Sequence, residues 1–273
     1  MQYKNMEWYL KVPKILHVYW GAGKFPYLRF KTVESFMQLN PDWRVILSYP
    51  KVPSIRNNTW GTRELGYSLN CTDYFEKLNS LPIEKNPIDF EEFGFSNDIA
   101  EVHKSDFIRL QLLSTIGGVW SDMDILYFKP ITSLLVNKPV NKDKDTFVSI
   151  CWYGHSIAFL MASENNVTFN RLKNFTHTEY SASIYQCIGS TMYNKYFKEL
   201  AFISSGVDIG MTSVYPHDAH HIEELYDGTP PAFTDHTIGI HWYAGHALSG
   251  RFLTTTNGGL SHLPNNIIGN LLK

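Results

Sequence analysis

The stretch Gly117-Gly118-Val119-Trp120-Ser121-Asp122-Met123-Asp124-Ile125-Leu126 most limits what this chain can become. It is a short β-forming run carrying two carboxylates one residue apart, entered through a Gly-Gly pair at the end of a long amphipathic segment. In a strand, successive side chains alternate between faces. Asp122 and Asp124 are therefore expected to project one way, with Val119, Met123 and Ile125 on the other face. Two carboxylates this close repel each other. The arrangement persists most easily if a cation sits between them or one of them is heavily hydrogen-bonded.

The segment feeding this run predicts a helix. Ser96-Asn97-Asp98 offers an N-cap, and the apolar period continues to about Ile116. On a helical wheel Ile99, Val102, Asp106, Arg109, Leu113 and Ile116 share one stripe, with Glu101 and Lys104 away from it. Asp106 and Arg109 thus fall on an apolar face, where a charge needs a partner. They can pair with each other across one turn, or their ends can reach a polar ligand pocket.

Around this pair of segments the chain reads as alternating strands and helices. Lys14 to Trp20 is a first strand, ended by Gly21-Ala22-Gly23, a turn that could approach a nucleotide closely but lacks the G-x-G-x-x-G fingerprint. Tyr27 to Leu39 is helical, Asn40-Pro41-Asp42 breaks it, and Trp43 to Tyr49 is a second strand. This order suggests a parallel βαβ unit. Residues 51–95, interrupted by Pro53, Pro82 and Pro87, read as an irregular or helical excursion with weak helical patterns near Arg63–Leu69 and Asp73–Leu78. Beyond the paired carboxylates, residues 137–145 form a polar loop. Strands follow at Phe147–Trp152 and Ile157–Ala162, a helix at Val167–Phe175, and, after Gly189-Ser190-Thr191, a further helix through Leu200. Extended segments are expected at Val207–Pro216 and Thr237–Tyr243, ahead of a Gly/Thr-rich tail to Gly259.

Bulk properties narrow the function. A length of 273 residues with 44% hydrophobic content suits one large α/β domain. A formal charge of −2 argues against a nucleic-acid surface. Aromatic residues, at 15%, serve either sugar and base stacking or core filling. The 3 cysteines have neither metal spacing nor a disulfide framework. No apolar run reaches the roughly 18 residues of a membrane span. Four sequons (Asn57, Asn70, Asn166, Asn174) occur. The expected place is cytoplasmic or soluble, or lumenal as in the Golgi if an N-terminal anchor precedes this chain.

A wider pattern gives the carboxylate pair its meaning. Ser105-Asp106-x-x-Arg109, Gly117-Gly118 and Asp122-x-Asp124 together resemble the nucleotide-sugar-binding signature of GT-A-fold glycosyltransferases. The likeness is to the Och1-like mannosyltransferase group, the α-1,4-glycosyltransferase group and the catalytic domains of large clostridial glucosylating toxins. Pro13 and Ile15 to Gly21 resemble the opening strand of these families, and Asn40-Pro41-Asp42-Trp43 the approach to their second strand. Ile157 to Phe169 is similar to their acceptor-side strand and helix start. Val214-Tyr215-Pro216 with Ile240-His241-Trp242 resembles their C-terminal end.

The resemblance implies an α/β, GT-A (Rossmann-like) fold with a mixed, mostly parallel central sheet. It implies one catalytic domain over residues 1–273, with a nucleotide-sugar-binding half over about 1–130 and an acceptor-binding half and C-terminal lid over about 131–273. Mn²⁺ or Mg²⁺ would be held by Asp122, Asp124 and His241. Tyr19, Trp20, Gly21, Asp106, Arg109, Gly118, Asp122, Met123 and Trp242 would bind the nucleotide sugar, and Asp106, Arg109, Asp122 and Asp124 would carry the catalysis. The implied reaction moves a sugar from a nucleoside-diphosphate sugar, a UDP-sugar ahead of a GDP-sugar, to a glycan, polysaccharide or other hydroxyl acceptor, with retention. An inverting reaction would need a base, for which Asp208, Asp218 or Glu223 are candidates. Ser156, Glu164-Asn165-Asn166 and Gln186 to Thr191 depart from the family pattern on the acceptor side. Two alternatives stand beside this one: a non-catalytic nucleotide-sugar or carbohydrate-binding protein, and a phosphotransferase of haloacid-dehalogenase type, which would carry its Asp-x-Asp near the N-terminus.

Overall fold

Strand β1 (Ile15–Tyr19) is buried along its whole length, as a strand covered on both faces should be. The computed structural model describes residues 11–21, 23–54, 71–134, 145–151, 154–197, 206–217, 219–227 and 233–250, with residue 268. Helix α1 (Tyr27–Leu39) and strand β2 (Arg44–Pro50) complete the expected parallel βαβ unit, β1 and β2 pairing in register from Ile15–Arg44 to Tyr19–Ser48. A short helix α2 (Phe75–Asn79) leads to strand β3 (Glu84–Ile88), which pairs parallel to β2. This strand has no alternating apolar pattern in the sequence and contains Pro87. It survives because it lies at the sheet edge, where a missing N–H costs little. The reading of residues 51–95 as irregular or helical agrees with the helix at Phe75–Asn79 and is corrected at Glu84–Ile88, and the segment Arg63–Leu69 lies outside the described residues.

Helix α3 (Glu101–Thr115) enters strand β4 (Gly118–Ser121), which pairs parallel to β1. Strand β5 (Ile125–Tyr127) follows. Strands β6 (Thr146–Cys151) and β7 (Gly154–Ala162) form an antiparallel pair, and β7 also runs antiparallel to β4. Helices α4 (Val167–Asn174), α5 (Thr176–Glu179) and α6 (Ser190–Phe197) precede the short strand β8 (Gly206–Asp208). Helix α7 (Glu223–Asp227) and strand β9 (Gly239–His241) close the described chain. The main sheet has the order β3-β2-β1-β4-β7-β6-β8, with β5 and β9 as a separate antiparallel pair. One core face packs α1 and the β5–β9 pair through Phe36, Val119, Ile125 and Trp242. The other packs α3, α4 and α6 through Leu113, Leu160, Phe169 and Met192.

Two expectations for α3 need correction. The helix begins at Glu101, with Ala100 as its cap residue, and Ser96 instead accepts a turn hydrogen bond from the Asp98 N–H at 3.1 Å. The helix is also buried nearly all round, because it packs on α4 as well as on the sheet. Glu101 and Lys104, expected off the buried stripe, are fully enclosed, while Ile116 at its end is 39% exposed.

The Gly-Gly pair is dictated by close approach. Gly117 has φ +69°, and a Cβ there would lie 2.5 Å from the Ser163 carbonyl carbon. Gly118 has φ +99°, and its Cβ would lie 2.7 Å from the Ile15 oxygen. The pair lets β4 enter between β1 and β7, and the His17 Nε2 reaches the Gly117 carbonyl at 2.8 Å. Of the sequons, Asn166 is buried and accepts the Phe169 N–H to cap α4, while Asn57 and Asn70 lie outside the described residues. Among the described residues, no helix is long and apolar enough to cross a membrane.

Candidate active site

The Asp122-Met123-Asp124 run is not part of one continuous strand. β4 ends at Ser121 in the main sheet and β5 begins at Ile125 in the two-stranded sheet, so these three residues form the turn that crosses between them. The turn is fixed by its backbone: Asp122 N–H donates to Ala158 O at 2.7 Å, and Met123 O accepts from the Thr32 hydroxyl at 3.1 Å. Strand alternation therefore does not govern it. Both carboxylates and Met123 border the same cavity, of about 500 Å³.

Arg109 ties the helix to the turn. Its guanidinium lies 3.3 Å from Asp106 Oδ1 and 3.1 Å from Asp122 Oδ1, and stacks 4.9 Å from the Trp120 ring centre. Trp120 Nε1 donates to the same Asp122 oxygen at 2.7 Å. Asp106 and Arg109 thus pair with each other and also line the cavity. Asp106 is almost wholly buried, and its Oδ2 makes no hydrogen bond. Burial is the largest influence on this carboxyl and pushes its pKa up to about 7; Arg109 opposes the rise and Asp122 adds to it.

Asp124 is held from the C-terminal side. Its Oδ1 lies 3.1 Å from His241 Nε2, its Oδ2 accepts the Ala244 N–H at 3.0 Å, and its carbonyl accepts the Trp242 N–H at 2.8 Å. Burial alone would raise this carboxyl's pKa, but His241, Arg29 and the Ala244 N–H outweigh it and hold the group well below the usual carboxylate range. Ligand atoms of Asp122, Asp124 and His241 lie within 4.8 Å of one another, close enough for one small cation to touch all three. The hard carboxylate oxygens and the imidazole nitrogen suit Mn²⁺ or Mg²⁺, and the His241 Nδ1 is buried without a hydrogen bond.

Other expected site residues sit elsewhere. Trp20 and Trp242 do not border the cavity. They flank Arg29, whose guanidinium lies 4.6 Å from the Trp20 ring centre and 5.8 Å from that of Trp242. Arg29 itself lines the cavity. Burial lowers its pKa to about 10 against the pull of Asp124 and Asp122, so it stays charged at neutral pH. The aromatic pair thus holds a cation beside the carboxylates. Gly118 serves the strand contact described above. Gly21 adjoins a buried cluster: a Cβ there would fall 1.6 Å from Glu101 Oε2. Tyr19, which borders the cavity, donates its hydroxyl to that same oxygen, and Lys104 Nζ donates to Glu101 Oε1 at 2.9 Å. Asp208 and Glu223 are exposed and do not line the cavity, and Asp218 lies outside the described residues.

Arg29, Trp120 and the Glu101–Lys104 pair were missed in the sequence. A charge between Leu28 and Phe30, inside an amphipathic helix, was the available signal for Arg29. For Glu101 and Lys104 there was none, because a helix wheel assumes one solvated face.

Residues 26–141 match the family model described as a glycosyltransferase sugar-binding region containing the DXD motif. The chain has the fold of the GT-A glycosyltransferases, and this region of it carries the DXD signature. A second model, described as a capsular polysaccharide synthesis protein, matches residues 90–206. Among solved structures, the PaToxG glycosyltransferase is similar at 16% identity and a TM-score of 0.50, covering 70% of each chain. At that identity the likeness speaks for the fold. GlyE of Streptococcus pneumoniae TIGR4 matches at 10% identity and a TM-score of 0.48, over 84% of this chain and 54% of its own. The galactosyltransferase LgtC, in complex with donor and acceptor sugar analogs, matches at 12% identity and a TM-score of 0.40, over 90% of this chain and 96% of its own. No curated protein matches this chain in sequence.

The raised Asp106 pKa makes stability depend on pH. The unfolded carboxyl titrates near its ordinary 3.8 and the folded one near about 7, so between these values the folded state binds more protons. This contribution is full below the lower value and is lost as pH rises through the upper one. Melting temperatures measured between pH 4 and 8 are expected to show that fall, and Asp106→Asn, which cannot titrate, is expected to flatten it. An identical profile in the variant would contradict the assignment.

Proposed function

We propose that the cavity binds a nucleoside-diphosphate sugar, a UDP-sugar ahead of a GDP-sugar, with Mn²⁺ or Mg²⁺ held by Asp122, Asp124 and His241. The sugar would pass to a glycan, polysaccharide or other hydroxyl acceptor with retention of configuration. The observation that carries this reading is the meeting of the Asp122, Asp124 and His241 ligand atoms beside two buried arginines in one cavity. The bound cation would supply neutralisation of charge on the departing diphosphate.

The residues divide the remaining work. Arg29 adds a second, permanent positive charge beside the carboxylates, where a diphosphate would lie. Arg109, fixed by Asp106, Asp122 and Trp120, is held in one orientation and can present its edge to sugar hydroxyls without further ordering. Tyr19, anchored by Glu101, offers a wall for the base or sugar. Residues 1–130 would supply most of the donor site. The later half would add His241 and the acceptor side; residues 251–259 of the expected C-terminal lid lie outside the described residues.

The test is a donor screen. UDP- and GDP-sugars with Mn²⁺ are followed for slow hydrolysis, alongside thermal-shift measurements with UDP or GDP and Mn²⁺. Hydrolysis of a UDP-sugar and stabilisation by UDP that depends on the metal are expected. A protein stabilised by neither nucleotide in the presence of metal would sink the reading.

A further inference from the structure

The same cavity is also lined by residues the donor reading leaves unused: Ser156, Tyr185, Gln186, Ser190 and Tyr215. The loop between α5 and α6 carries Tyr185 and Gln186, and Ser190 opens α6. It is tightly knit. Ile184 N–H donates to Ser181 O at 3.2 Å, Gly189 N–H to Gln186 O at 2.9 Å, and Ser181 N–H to Cys187 Sγ at 3.2 Å. His103 of α3 holds the Ile184 carbonyl from below through Nε2 at 3.1 Å. Yet this ordered loop leaves Ile184 52% and Tyr185 49% exposed, two consecutive large apolar side chains of which Tyr185 lines the cavity. The residue between Tyr185 and the buried Cys187, Gln186, has φ +52°, a left-handed conformation unfavourable for any residue but glycine. Exposure here is imposed by a rigid, strained loop. Looseness does not explain it.

We propose that Tyr185 is the stacking platform of an acceptor subsite that takes a sugar ring, so that the attacking hydroxyl belongs to a glycan. The proposal rests on the donor reading above and deepens it. A pyranose presents an apolar C–H face and a rim of hydroxyls, and this lining has the matching parts: one aromatic face flanked by an amide and hydroxyls. The Gln186 Oε1 accepts the Ser190 hydroxyl at 2.8 Å, and the Ser156 and Tyr215 hydroxyls bond to each other. Tyr185 lines the same cavity as Asp106, Asp122 and Asp124. A protein partner fits poorly. Ile184 and Tyr185 offer roughly 200 Å² between them, against about 800 Å² per partner in a stable protein interface. In the transfer, the acceptor oxygen bonds to the anomeric carbon and the bond from that carbon to the diphosphate oxygen breaks. The leaving oxygen keeps the electron pair, and the hydroxyl proton passes to the released diphosphate.

The experiment uses the full chain with Mn²⁺ and the donor chosen by hydrolysis, offering lactose, maltose, N-acetylglucosamine and a Ser/Thr-containing peptide as acceptors. Transfer to at least one saccharide is expected. Tyr185→Ala should raise the saccharide KM about tenfold, the loss of one aromatic contact, with a much smaller change in donor KM. Tyr185→Phe and Tyr185→Trp keep a ring and should restore it. Transfer to the peptide alone, transfer to no probe by an enzyme that hydrolyses donor, or an unchanged saccharide KM in a folded Tyr185→Ala would overturn the proposal. A wild type that neither binds nor hydrolyses any donor would instead fail the donor reading itself.

Discussion

Asp124→Ala is expected to abolish metal-dependent nucleotide binding and to cut turnover by roughly a thousandfold, while the protein still folds. The loss follows from what the carboxylate does. It is the most strongly held of the three groups that meet beside the cavity, fixed by His241 through one oxygen and by the Ala244 N–H through the other. Removing it leaves Asp122 and His241 as the only two members of that group. It also removes the anion that Arg29 faces, so two features of the proposed diphosphate site change at once. The fold should survive because the main-chain links do not depend on the side chain. Trp242 N–H still donates to Asp124 O, and β5 still pairs with β9 from Ile125–His241 to Tyr127–Gly239. The orphaned Ala244 N–H costs on the order of 1–3 kcal/mol. Calorimetric titration of UDP with and without Mn²⁺ checks the first part, and a thermal melt checks the second. A variant that turns over donor at the wild-type rate with the same metal dependence would show that the site lies elsewhere.

The legible parts of this molecule are those with a local signature. Strand β1, helix α1 and strand β2 follow from apolar runs punctuated by Gly21 and Asn40-Pro41, and their burial agrees with the pattern. The pairing of Asp106 with Arg109 follows from helical spacing, and their position on the cavity from the cost of burying a charge on an apolar face. What could not be read is set by tertiary contact. Strand β3 exists because β2 offers an edge, which no residue in Glu84–Ile88 announces. The turn at Asp122–Asp124 exists because β5 finds β9, more than a hundred residues downstream in sequence, and so leaves the main sheet. Trp20 and Trp242 look like stacking surfaces for a ligand in the sequence. In the folded chain they enclose Arg29, a role that depends on three segments meeting. Glu101 and Lys104 read as a solvated face until Tyr19, Gly21 and Phe90 enclose them.

Arg109→Ala should lose both stability and donor binding, and its pH dependence separates this from the ordinary loss of a large side chain. The guanidinium is buried between Asp106 and Asp122 and stacked on Trp120. Burial disfavours its charge, but Asp122 and then Asp106 outweigh that and raise its pKa. Without it, two carboxylates face each other across a cavity wall with the nearest compensation gone. Breaking a buried pair in this way costs about 3–5 kcal/mol, a fall in Tm on the order of 10 °C. Arg109→Lys keeps the charge but has no planar fork to span both carboxylates, so it should recover only part of the loss. The variant removes a positive neighbour from Asp106, whose pKa burial has already raised to about 7, so its folded pKa should rise further. A carboxyl with a raised folded pKa destabilises only where it must ionise. The Tm deficit of Arg109→Ala should therefore shrink as pH falls from 8 toward 5 and Asp106 takes up its proton. A simple cavity would give a deficit independent of pH. A melting temperature unchanged at every pH would mean that Arg109 does not compensate these carboxylates at all.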